Sequence, residues 1–393
     1  MHERASHAAA AIAGQLITPR AVASPAQSLS GGAVGIALLH IERALAGLTG
    51  WQDAHDWLAL AAGEGGTVGG KACLYHGAPA LAFALHPARQ PGYEPARTAL
   101  DEAVAAITRD RLASAYERLA RADHPDLSEF DLISGLTGLG AHWWRCDPGG
   151  DLVRSVLAYL VVLTEPRGGL PGWWTMSSAR RAADDPPGGH GNNGMAHGIA
   201  GPLALLGLTA RGGLAVPGQG EAIGRICGWL DSWQQEHQGA PWWPDTVTLG
   251  DLREGRTTQP GPLRPSWCYG TPGIARAQQL AALATGDAAR RAAAESALAG
   301  CLTDPRQVQR ITDRNLCHGT AGLFMTAAAI TADALAPHDM PLARAAELLL
   351  NSPAPASEPP GFLTGTAGYG LALNALARPG PSATSWDTCL LLH

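Results

Sequence analysis

Lysine is almost missing from this chain: Lys71 is the only one, and the remaining basic residues are arginines. Against 28 basic residues stand 34 acidic ones, for a formal net charge of −6, and no dense Lys/Arg block occurs. That excludes the electrostatic footprint of a nucleic-acid or anionic-membrane binder, so neither partner is expected. Long apolar runs are missing too. Glu3, His7 and Gln15 interrupt or flank the Ala-rich start, and no later stretch reaches the ~18 apolar residues of a membrane span. The expectation is a cytoplasmic protein that begins with an ordinary helix. Cysteine is sparse: seven residues, at 73, 146, 227, 268, 301, 317 and 389, are odd in number and too scattered for a disulfide framework. Reduced thiols follow, some of them available as ligands.

Charged residues make up only 16% of the chain and aromatics 6%, while hydrophobic residues reach 46% and Ala and Gly abound. Small residues let helices approach closely, which favours an all-α architecture over an aromatic-rich sandwich.

One short phrase returns seven times: Gly32-Ala-Val-Gly35, Gly77-Ala-Pro-Ala80, Gly135-Leu-Thr-Gly138, Gly198-Ile-Ala-Gly201, Gly270-Thr-Pro-Gly273, Gly319-Thr-Ala-Gly322 and Gly365-Thr-Ala-Gly368. An Ala/Leu-rich run follows each, and amphipathic stretches such as 96–122 and 287–302 lie between, so each unit reads as a helix pair. Seven pairs form either an open solenoid or a closed ring, the α/α toroid, with one helix of each pair lining the inside. The glycines serve helix starts and close packing; no phosphate loop or dinucleotide fingerprint accompanies them. The Gly/Pro- and Trp-containing segments around 167–193 and 239–265 read as long loop insertions, either connecting loops or rims that receive a peptide, within one domain spanning 1–393.

Residues just before the phrases share a register. Two positions before the first glycine the series is Ser30, Tyr75, Ile133, Ala196, Cys268, Cys317, Leu363; one position before it is Gly31, His76, Ser134, His197, Tyr269, His318, Thr364. Cysteine therefore holds the same place in neighbouring repeats five and six, with His318 directly after the second. Two thiolates and an imidazole suit zinc, and a site with three protein ligands keeps a position open for water or substrate. The same residues also read as small buried thiols and a satisfied core histidine. Cys73 with His76 is a weaker rival pair.

Zinc with an open position holds an incoming thiol as thiolate, lowering a pKa of ~8.5. Addition of that thiolate to an electron-poor alkene then needs a proton donor and a group to stabilise negative charge. His197 stands in the register for the donor. Asp131, four residues before Gly135, is either an N-cap of the third phrase helix or a functional partner at the same mouth.

Trp267-Cys268-Tyr269-Gly270-Thr271-Pro272-Gly273, Cys317-His318-Gly319, Ala196-His197-Gly198-Ile199-Ala200-Gly201 and the tail Ser385-Trp386-Asp387-Thr388-Cys389-Leu390-Leu391-Leu392 together resemble the motifs of the LanC lanthipeptide cyclases along nearly the whole chain. The resemblance implies an α/α toroid with zinc on Cys268, Cys317 and His318. It also implies Michael-type addition of peptide cysteines to dehydroalanine or dehydrobutyrine. His197 would be the acid/base, and Asp131 would transfer protons or position His197. Arg264 and Tyr269 match residues lining the family's site, where Arg264 would stabilise enolate charge. The implied partners are a dehydrated precursor peptide and a separate dehydratase. A prenyltransferase-like zinc enzyme is disfavoured by the paired cysteines and few aromatics, and a non-cyclising zinc- and thiol-binding scaffold is the other alternative. Departures are Ala80 in place of a second glycine and the Gly31-Gly32 pair.

Overall fold

The Gly phrases mark helix starts. In the computed structural model, which describes residues 1–19, 24–63, 65–177 and 186–393, the helices in chain order are α1 (His2–Gln15), α2 (Ala33–Leu45), α3 (Gln52–Ala62), α4 (Ala78–Leu85), α5 (Glu94–Ala120), α6 (Leu127–Phe130), α7 (Leu136–Cys146), α8 (Asp151–Leu163) and α9 (Ala200–Arg211). They continue with α10 (Gln219–Trp233), α11 (Leu249–Glu254), α12 (Thr271–Thr285), α13 (Ala288–Thr303), α14 (Pro305–Val308), α15 (Thr320–Ala332), α16 (Leu342–Asn351) and α17 (Thr366–Ala377). Four three-residue strands are present, β1 (His190–Asn192), β2 (Gln235–His237), β3 (Ala240–Trp242) and β4 (Thr246–Thr248).

A phrase starts each of α2, α4, α7, α9, α12, α15 and α17, and these helices are buried nearly all round. All eight residues of α4 are buried, as is every residue of α12 from Thr271 to Ala282. A helix with no polar face must be enclosed by others. The intervening helices bury one stripe instead: Val153, Val156, Leu157 and Leu160 in α8, and Ala345, Ala346 and Leu349 in α16.

The contacts divide the chain into two compact units, residues 1–107, 311–325 and 342–389 in the first and 108–310, 326–341 and 390–393 in the second. In the first, α2 packs on α3 and α4, and α17 packs on both α1 and α2. The last phrase helix thus meets the first, and α1 supplies the partner that α17 would otherwise lack. In the second, α9 lies against α7 and α12, with α8, α10 and α13 covering them.

The segments expected as plain loops are partly structured. β1 from the first insertion pairs antiparallel with β4 from the second, His190 opposite Thr248 and Asn192 opposite Thr246. β2 and β3 form a separate hairpin. A capping box at Thr248 and Asp251 starts α11. Residues 178–185 of the first insertion lie outside the described residues.

Candidate active site

Hydrogen bonds turn the sequence register into geometry. In the second unit Leu132 N donates to Ala196 O at 3.1 Å, and Met195 N and Ala196 N both donate to Cys268 O at 3.0 and 3.3 Å. In the first unit Cys317 N donates to Leu363 O and Leu363 N to Ser30 O, each at 2.8 Å, while Leu29 N donates to Tyr75 O at 3.0 Å. The segments before successive phrases are therefore stapled to one another through their main chains.

The second glycine of the phrase sets the approach. A Cβ on Gly273 would overlap the Trp267 carbonyl oxygen, and one on Gly322 would overlap that of Leu316. Each of these carbonyls belongs to the residue immediately before a cysteine, Cys268 or Cys317. Glycine here lets the first helical turn close against the segment that carries the thiol.

Asp131 is 1% exposed. Its Oδ1 accepts hydrogen bonds from Ser134 N at 2.6 Å and Gly135 N at 2.8 Å, and its Oδ2 lies 2.6 Å from His197 Nδ1. Asp131 thus ties down the turn that leads into α7, whose N-cap is Gly135 with no side-chain cap, and it also holds the His197 ring. A carboxylate already accepting two backbone N–H bonds acts as acceptor toward the ring, which puts the hydrogen on Nδ1 and leaves Nε2 free. The His197 side chain keeps 28% of its surface accessible.

Tyr269 stacks beside His197, ring centroids 6.2 Å apart and planes 27° apart. Burial pushes its phenol well above the ordinary tyrosine range, and the hydrogen bond from Asn192 offsets this only in part, so the phenol stays protonated at neutral pH. Asn192 Nδ2 donates to Tyr269 Oη at 2.8 Å, while Asn192 Oδ1 accepts from Gly194 N at 3.0 Å. Because Oη accepts, the phenolic O–H remains free to donate. Asn192 ends β1, so the pairing of the two insertions delivers it. Its neighbour Asn193 is locked by Trp229 Nε1, 2.8 Å away, and by Pro244 O.

The residue pattern does not mark Asn192; the Asn192-Asn193-Gly194 run just ahead of the His197 motif is the local signal for it. Arg264 is half-buried and is not among the hydrogen-bond partners of Asp131, His197 or Tyr269. Trp267 is fully buried and donates to Leu390 O at 2.9 Å, a core residue.

Cys268, 7% exposed, has its Sγ 3.9 Å from Ser266 Oγ. In the other unit Cys317 is half-buried, and His318 follows it with Nε2 3.5 Å from Asp313 Oδ2 and 3.4 Å from Asn315 Nδ2. Asn315 Oδ1 accepts from His318 N at 3.0 Å, fixing the turn. Neither Asp313 nor Asn315 was singled out from the sequence. Cys73 and His76, by contrast, exchange backbone hydrogen bonds in a tight bridge. Burial raises the Cys227 thiol to about 11 and the Cys301 thiol to about 12, as befits structural cysteines.

The lanthionine synthetase C-like protein family matches residues 25–391. The nisin biosynthesis protein NisC of Lactococcus lactis subsp. lactis is 24% identical over 259 residues, which is 64% of this chain; the match spans 60% of that relative's length. A solved nisin cyclase superposes with a TM-score of 0.79 at 20% identity, covering 99% of this chain and 97% of that one. This likeness gives the fold: a mostly helical α/α toroid, the closed alternative among those the repeats allowed.

Proposed function

The chain belongs to the lanthionine synthetase C-like family, and on that premise we propose that it is a zinc-dependent lanthipeptide cyclase. Its substrate is a precursor peptide already dehydrated by a separate enzyme in the cytoplasm, and its product carries lanthionine or methyllanthionine thioether rings. The observation that carries this reading is the Asp131–His197 pair at 2.6 Å, held beside the protonated Tyr269.

Cys268, Cys317 and His318 are the proposed metal ligands. Their donor chemistry fits zinc, since two thiols with one imidazole leave a fourth position open. Their shared place before the phrase and the grouping of their ligand atoms among the described residues support the set. Asp313 and Asn315 beside Nε2 orient the His318 ring and leave Nδ1 for the metal, as outer carboxylates do at many histidine ligands. When bound, zinc supplies a Lewis acid that holds the peptide thiol as thiolate at neutral pH.

The protein's own groups handle the proton. The thiolate sulfur attacks the β-carbon of the dehydro residue, the C–S bond forms, and the alkene electron pair moves onto the α-carbon and its carbonyl as an enolate. His197 Nε2 gives the α-carbon the proton that balances the one lost by the thiol. Asp131 steadies the imidazolium before that transfer and fixes the ring's direction. The free O–H of Tyr269 donates to developing charge on the carbonyl oxygen, and Arg264 is assigned to the same charge through the family resemblance.

Mass spectrometry after thiol alkylation of the dehydrated, co-encoded peptide tests this. Wild-type protein is expected to remove alkylatable thiols without changing peptide mass. His197→Ala should slow this by roughly 10²–10⁴-fold. Cys317→Ala should lose bound zinc by elemental analysis. Unchanged thiols with zinc-loaded wild-type protein, or full zinc retention in Cys317→Ala, would overturn the respective half.

A further inference from the structure

Within the first unit the last turns of α2 and α17 and residues 378–386 enclose a cavity of about 330 Å³. Arg43 lines it and is only 6% exposed. The guanidinium makes one hydrogen bond, from Nη1 to Asn374 Oδ1 at 2.9 Å, and its Nε is buried without a partner. Two further lining groups, Asn374 Nδ2 and Ser382 Oγ, are also buried and unpartnered.

Among the described residues no carboxylate pairs with Arg43. The neighbouring Glu42 is committed elsewhere: one oxygen accepts from Ala383 N, the other from Thr384 N and Oγ1. The other charged lining residue, Arg378, is cationic and donates to Ala46 O. Carbonyls at the end of α2 offset part of the Arg43 charge. They leave its Nε unbonded.

Burying an uncompensated charge and idle donors is costly, so a site with this composition is completed by an acceptor that also carries negative charge. Water would fill the donors without neutralising the guanidinium. A carboxylate does both, presenting two oxygens to a guanidinium edge. The volume exceeds what a carboxylate alone needs, and Trp386 and Leu48 supply apolar wall; Leu48, 41% exposed, lies where the cavity reaches solvent.

We propose that this cavity binds an organic carboxylate, its oxygens on Arg43, Asn374 and Ser382 and its apolar body against Leu48 and Trp386. The site is independent of the cyclase reading. A free small acid and the C-terminal carboxylate of a peptide share this chemistry.

Isothermal titration calorimetry of the full chain tests the proposal with hexanoate, hexanamide, and a short peptide ending in leucine as free acid or as amide. At least one of the two acids is expected to bind, at least about tenfold tighter than its amide. Binding by hexanoate identifies a small-molecule site, and binding by the free-acid peptide alone identifies a chain terminus. Arg43→Met, which replaces a buried charge by an apolar chain of similar length, should abolish binding. Leu48→Trp should weaken it at the mouth with no change in Tm. Equal binding of acid and amide, no binding of either acid to wild type, or affinity unchanged in both variants would overturn the proposal.

Discussion

Single residues divide into those whose environment readies them for chemistry and those it silences. Asp131 is saturated with hydrogen bonds and still presents one oxygen to His197. Cys227 and Cys301 are the opposite case, since burial holds their thiols near 11 and 12. A raised thiol pKa means the neutral form persists through ordinary pH. At pH 8 roughly one Cys227 in a thousand would be thiolate, and fewer for Cys301. Native-state alkylation read residue by residue should therefore leave both unmodified at pH 8, with Cys227 reacting only as the pH approaches 11. Chelation should open Cys317 to the reagent and leave these two unchanged; rapid alkylation of Cys301 at pH 8 would contradict its assigned burial. Asp131 and His197 both stand out in the sequence by register and resemblance. Asn192 does not, because its partner Tyr269 lies 77 positions away and only strand pairing joins them.

At the scale of the element, the phrase helices owe their position to glycine more than to helix propensity, in which glycine is poor. Gly322 sits in the first turn of α15, where any side chain would meet the Leu316 carbonyl. Gly322→Ala is expected to destabilise the protein by about 1–3 kcal/mol through overpacking. It should also lower zinc content, because the displaced segment carries Cys317 and His318. Urea denaturation with elemental analysis checks both; a stability change with zinc intact would separate packing from the site. Repeat two shows that the rule has exceptions, since Ala80 stands there and α4 forms regardless. The helix starts were legible because a Gly-centred phrase repeats. The β1–β4 pairing was not, because three-residue strands inside Gly/Pro-rich segments leave no periodic trace.

For the whole molecule, the chain's last residues act as part of the core. Arg276 is fully buried and its Nε and Nη2 donate to Leu392 O at 3.0 and 2.6 Å, with Asp333 accepting from Nη2 at 2.9 Å. Trp267 donates to Leu390 O. Removing residues 390–393 would strand these donors, at about 1–3 kcal/mol for each buried group left unsatisfied. Thermal denaturation of the truncated chain is expected to show a clearly lower Tm, and an unchanged Tm would mean the tail is dispensable. Among the described residues no helix is long and apolar enough to cross a membrane.

By itself the sequence determined the helical class, the number of repeats and the register that singles out Cys268, Cys317, His318 and His197, because equivalent positions in a repeat recur at readable offsets. It left open whether the repeats close. Tertiary structure decided that, through α17 packing on α2 and through α1, from the far end of the chain, covering α17. Only the fold could decide the hydrogen-bond partners of Asp131, the delivery of Asn192 to Tyr269 and, among the described residues, the absence of a carboxylate beside Arg43. Each depends on which donors and acceptors meet across long sequence separations, and hydrogen-bond partnership across such distances leaves no local pattern to read.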